Sequence, residues 1–169
     1  MITLTPMTAD DRFDTVACEL GHRFDGEIKI GGNYVPLVQD GDRIYVSGQI
    51  PRVGDHVLFV GAVGDQVDLN AAKTAAKVAV MRALALLQRA VGSLDAIRAV
   101  PRITVYVRSA AGFTQQSEVA DGASEVLFKV LGPAGAHSRP SVGVLQLPKG
   151  AAVEVDLIAS VSANAGSAA

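Results

Sequence analysis

Apolar residues recur along this chain with two periods, one helical and one of two residues, and the changes between them mark out its elements. Thr8 followed by Asp10 and Asp11 has the form of a helix cap with an acidic first turn. Phe13, Val16, Ala17 and Leu20 then fall at helical spacing, which predicts a short N-terminal helix over 8–20. After Gly31-Gly32, the runs 34–38 and 43–49 flank Asp40-Gly41, residues that tolerate positive φ, and so read as a hairpin; a third strand over 56–60 follows the Gly54-Asp55 turn. Residues 70–91 form the clearest helix, opening near Asp68 or Asn70, carrying alanines with Val78, Met81, Leu84, Leu87 and Val91, and closing at Gly92. Its many small side chains predict close packing on a sheet. The segment 100–108 alternates, Ile103, Val105 and Val107 against Thr104, Tyr106 and Arg108, as a half-buried strand does. A second helix, 115–131, places Val119, Ala123, Val126, Leu127 and Val130 at helical spacing before Gly132-Pro133. Two last apolar-rich runs, 141–147 and 151–157, flank Pro148-Lys149-Gly150 and read as a hairpin, and 162–169 as a disordered tail.

That order, helix, three strands, long helix, strand, helix, two strands, predicts an α+β layer architecture in a single domain spanning 1–161, with 1–29 as a helical N-terminal extension. Two main helices against one sheet leave a sheet face uncovered, and oligomerisation is the simplest way to bury it. The 169 residues, 49% hydrophobic, are enough for a substantial core. No apolar run is long enough for a membrane span, and residues 1–12 lack a basic segment followed by an apolar one, so no membrane association is expected and the cytoplasm is the default location. Cys18 is the only cysteine, which excludes an internal disulfide framework, and its helical setting reads as a buried thiol. His22, His56 and His137 are too far apart for a metal motif and read as surface residues. With a net charge of −2 and scattered Lys and Arg, the chain offers no basic stripe for nucleic acid.

The candidate chemistry lies near the C-terminus. Arg139 stands at the head of the last expected hairpin and Glu154 on its return strand. A planar guanidinium can hold a carboxylate through two parallel hydrogen bonds, and a partly desolvated glutamate beside a placed water can accept a proton from it. Each has a plainer alternative, a solvated arginine and a glutamate on a solvent-facing sheet surface.

Three ordered motifs decide how these residues are read. Gly32-Asn33-Tyr34, the run Ile44-Tyr45-Val46-Ser47-Gly48-Gln49-Ile50-Pro51, and Arg139-Pro140-Ser141-Val142 leading through Leu147-Pro148-Lys149 to Glu154 resemble those of the RidA/YjgF family. These are the reactive intermediate or imine deaminases, also described as endoribonuclease L-PSP-like. The family has Gly-Pro-Tyr, a Phe/Val-Ser-Gly-Gln-Ile/Leu-Pro strand, and Arg-Ser-Cys/Thr-Val…Leu-Pro-Lys…Glu at these places. The resemblance covers roughly 30–161, and the extra N-terminal residues mark a divergent, longer branch.

The resemblance implies a chorismate-mutase-like fold, a mixed and mostly antiparallel sheet with two main helices on one face. It also implies a homotrimer with its sites in clefts between subunits. Activity by analogy is hydrolysis of 2-imino and enamine acids to a 2-keto acid and ammonia, with no cofactor and no metal, on a small-molecule carboxylate substrate. Arg139 then matches the carboxylate-holding arginine and Glu154 the glutamate of water activation. Tyr34 matches the tyrosine that closes the cleft, and Ser47 the serine that lines it. Ser141 stands where many members carry cysteine or threonine, and Asp121 at a family asparagine. The chemistry is coherent: a protonated imine carbon is electrophilic, so the site need only fix the carboxylate, exclude bulk solvent and aim one water. Asp121 departs from the pattern by placing a carboxylate near a pocket meant for anions. A non-catalytic trimer that binds a small acid and regulates a partner is therefore the second reading. Ribonuclease activity is disfavoured by the acidic balance.

Overall fold

Thr8 fixes where the first helix begins. Its hydroxyl accepts from the Asp11 N–H while the Asp11 carboxylate accepts from the Thr8 N–H, so α1 runs Ala9–Leu20 and stops at Gly21 in the left-handed region. In the computed structural model, residues 6–162 are described. The tail expected over 162–169 lies outside them from residue 163 onward.

After α1 come β1 (Leu37–Asp40), β2 (Arg43–Gln49), β3 (Arg52–Val53), β4 (His56–Val57), α2 (Leu69–Val91), β5 (Ile97–Arg108), α3 (Gln116–Leu131), β6 (Ser141–Val144) and β7 (Val153–Val161). The α+β architecture is as expected: α2 and α3 pack on one face of a mixed, mostly antiparallel sheet of order β1-β2-β7-β5-β6. Asp68 caps α2 through the Ala71 N–H, and Gly92 ends it. The core joins Ile44 and Val46 of β2, Ile103, Val105 and Val107 of β5, and Val153, Val155 and Leu157 of β7 to the buried sides of α2 and α3. The alternate positions, among them Tyr45, Thr104, Tyr106, Glu154, Asp156 and Ile158, face the other side of the sheet.

Several local expectations are corrected. The last two strands are not a hairpin pair: β7 lies between β2 and β5, and β6 runs parallel to β5 at the sheet edge. β7 buries its inward residues almost completely and suits the sheet interior, whereas β6 exposes Val142 and Gly143 and suits an edge. β1 starts at Leu37 rather than 34 because Pro36 has no N–H for the ladder; its carbonyl accepts from Ser47 N instead. The third strand ends at Val57, two residues before Phe59 takes φ +58. Cys18 is exposed, not buried.

The N-terminal helix is built into the fold. The Asp10 carboxylate accepts from Gln88 at the end of α2, from the Ser93 hydroxyl and from the Leu94 N–H, at 2.8, 2.6 and 2.9 Å. Burial alone would raise the Asp10 pKa, but these bonds together hold it below its ordinary value. Phe13 packs edge-on against Phe24, and Arg89 of α2 donates to the carbonyls of Phe24 and Gly26. The segment between α1 and β1 is thereby anchored on α2.

Candidate active site

The cleft at the end of β2 begins with a break in register. Val46 pairs with Leu157 and Gln49 with Val155, so β2 carries one residue more than β7, a bulge at Ser47-Gly48 opposite Asp156. Glu154 lies next to it. A Cβ at position 48 would overlap the Glu154 carboxylate, so glycine is what lets that carboxylate lie against the β2 backbone. Burial, then the charge of Asp156, pushes the Glu154 pKa above its ordinary value, with no hydrogen bond offsetting them.

Glu154 shares the cleft with Tyr34, Gly48, Gln49, Ile50 and Lys149 among others. Tyr34 is half exposed, and the ring of Tyr34 rests near Gly32, which supplies the room for it. The Ser47 hydroxyl donates to the Val35 carbonyl at 3.0 Å and fastens the Tyr34 segment across β2. The structure thus brings Glu154 and Tyr34 together and gives Ser47 a positioning contact.

Arg82 also lines this cleft and was not singled out from the sequence. Its guanidinium donates from Nε to Gln49 Oε1 at 3.3 Å, from Nη1 to the Arg52 carbonyl at 2.6 Å and from Nη2 to the Lys29 carbonyl at 3.4 Å. Burial first, then Arg52 and Arg89, brings its pKa down to about 10. The signal in the sequence was a single charged residue inside the otherwise apolar stretch 78–87 of α2.

Arg139 belongs to a second group on the helix-covered side. Its Nη1 donates to Asp121 Oδ1 at 3.0 Å and Ser124 Oγ at 2.8 Å, and its Nη2 to the Ser117 carbonyl at 3.1 Å and hydroxyl at 2.9 Å. Having accepted from Arg139, the Ser124 hydroxyl donates to His137 Nε2 at 2.8 Å, leaving Nδ1–H to donate to the Gly135 carbonyl at 2.6 Å. His137 is therefore a half-buried member of this network rather than a surface residue. Asp121 does not repel a ligand from an empty pocket; it ion-pairs with Arg139. Ser141 opens β6, level with Val105. Within one chain the candidate residues form two sets, Glu154 with Tyr34 and Ser47, and Arg139 with Asp121 and Ser141, separated by β5. Among the described residues no cluster of His, Cys, Asp or Glu could hold a metal ion, and no helix is long and apolar enough to cross a membrane.

Residues 18–161 match the family described as "YjgF/chorismate_mutase-like, putative endoribonuclease". The chain belongs to the YjgF family. Protein TCP17 of Trypanosoma cruzi is 38% identical over 131 residues, 77% of this chain and 82% of that protein. The crystal structure of Agrobacterium tumefaciens Atu1372, a protein described as of unknown function, superposes with a TM-score of 0.81 at 35% identity, covering 91% of this chain and 96% of that one. A Shewanella oneidensis structure carrying the endoribonuclease description reaches 0.84 at 26% identity, covering 92% and 100%.

Proposed function

We propose that this YjgF protein hydrolyses 2-imino or enamine acids to a 2-keto acid and ammonia, without a cofactor. The observation that carries the reading is the Glu154 carboxylate, partly desolvated, raised in pKa and set into a cleft beside a glycine that clears space for it. A raised carboxylate near neutral pH is a better proton acceptor than a solvated one. In the proposed step Glu154 takes a proton from water as its oxygen bonds to the protonated imine carbon. The carbinolamine then collapses: Glu154 passes its proton to nitrogen and takes back the hydroxyl proton as the C=O forms and the C–N bond breaks, releasing the 2-keto acid and ammonia, which leaves as ammonium after accepting that proton. Tyr34 closes the mouth, and Ser47 holds the Tyr34 segment in place.

Arg139 is proposed to hold the carboxylate next to the reacting carbon, reaching the Glu154 cleft from a neighbouring subunit of a homotrimer. Ser141 and Asp121 accompany it, Asp121 by fixing the guanidinium. That same ion pair favours a second reading, a non-catalytic trimer that binds small acids, because a neutralised arginine holds its ligand less strongly.

Release of ammonia or keto acid from imino acids generated in place by an amino-acid oxidase separates the two. Acceleration by the wild type, lowered about 10²–10⁴-fold in Glu154→Gln, is the expected result. No acceleration by a folded, oligomeric protein would leave the binding reading.

A further inference from the structure

Arg82 has the marks of a binding group for which the proposed reaction has no use. It is 5% exposed, in the middle of α2, yet it lines the Glu154 cleft. A guanidinium has five N–H donors; three hydrogen bonds, all to neutral oxygens, account for three of them. No carboxylate among the described residues pairs with it. A buried cation without a counter-ion is costly, and an arginine whose only task was to tie backbone carbonyls down could stay in water, as Arg89 does while donating to Phe24 and Gly26.

The rest of the cleft has the same sign. Lys29, Arg52 and Lys149 line it too, and among the described residues Glu154 is the one carboxylate there. Lys29 and Arg52 share Asp55, while Lys149 has no ion pair among the described residues and sits at φ +59, a conformation that costs a lysine energy. Arg82, with two N–H groups outside its three hydrogen bonds, and Lys149 are thus cations without a carboxylate partner among the described residues, in a cleft where the proposed reaction assigns the substrate's own carboxylate to Arg139.

We propose that Arg82 receives an anionic group on the substrate's side chain, so that the cleft prefers 2-imino acids bearing a second acidic group over aliphatic ones. The inference rests on the reading of the Glu154 cleft as the reaction site. Carboxylate and phosphate both suit a guanidinium fork, and the choice of probe tells them apart.

Calorimetric binding of three 2-keto acids tests it: 2-oxoglutarate and 3-phosphooxypyruvate, which carry a second acidic group, and 2-oxobutyrate, which does not. The wild type should bind at least one acidic probe tenfold or more tightly than 2-oxobutyrate. Gln49→Glu puts a carboxylate at Arg82 Nε while keeping the arginine, and should erase that preference in a protein whose circular dichroism is unchanged; Arg82→Met should do the same. Equal binding of all three probes by the wild type, or a preference that survives Gln49→Glu, overturns the proposal even if aliphatic imines are hydrolysed. If no probe binds and no imine is hydrolysed, the deaminase reading falls and this inference with it.

Discussion

Glu154 is a residue whose charge the fold disfavours, and that has a consequence for stability. Its pKa is raised in the folded state, so between its ordinary value of 4.5 and the folded value the native protein holds more protons than the unfolded chain. The associated stability is present in full below 4.5 and is lost as pH rises through the folded value. Glu154→Gln, which cannot ionise, is therefore expected to raise the melting temperature at pH 7–8 while lowering activity, with the stability gain shrinking below the ordinary value. Thermal melts of both proteins across pH check this, and a variant equally destabilised at every pH would show that the carboxylate is not desolvated. Glu154 and Tyr34 were legible because each sits in a motif of several residues. Arg82 was not, since a lone charge in an apolar helix says only that something must accompany it. The contact between Asp121 and Arg139 was also hidden: the two are in sequence segments whose packing the motif does not encode.

At the level of elements, the helices and the rhythm of β5 could be read because periodicity is a local property, and their ends came within a residue or a few. Strand neighbours are not local. Pro148-Lys149-Gly150 looks like a hairpin turn, but depth of burial rather than turn residues decides where β6 and β7 sit, and β5 separates them. The small residues of α2 and α3 do have a predictable consequence. A Cβ on Gly122 would run into the Lys73 carbonyl, part of the α2 backbone, which cannot swing aside as a side chain does. Gly122→Ala should destabilise by about 2 kcal/mol, the overpacking cost outweighing the roughly 1 kcal/mol that alanine gains within a helix. Denaturant unfolding measures it, and a stabilised variant would mean that α2 and α3 can separate freely.

At the scale of the whole molecule, the two candidate sets lie on opposite sides of one sheet. Counting strand spacing and rise, Arg139 and Glu154 backbones lie on the order of 14 Å apart. More decisively, the Arg139 side chain is bound to α3 on the helix-covered side, whereas Glu154 is on the opposite side of the sheet. A small imino acid would not touch both within one protomer. That uncovered side also presents exposed Tyr45 and Val142 with half-buried Ile158, surface that a trimer would bury. If each site takes Glu154 from one subunit and Arg139 from the next, Glu154→Gln and Arg139→Ala should each be inactive alone yet complement each other. Mixed by refolding at equal amounts, random assembly pairs an intact Glu154 with an intact Arg139 at about a quarter of the sites, so about a quarter of wild-type activity should return. Activity that stays absent in mixtures shown by light scattering and mass spectrometry to be mixed trimers would place all the essential groups within one chain. Arg82, which lines the same cleft as Glu154, would then be the arginine available to the substrate.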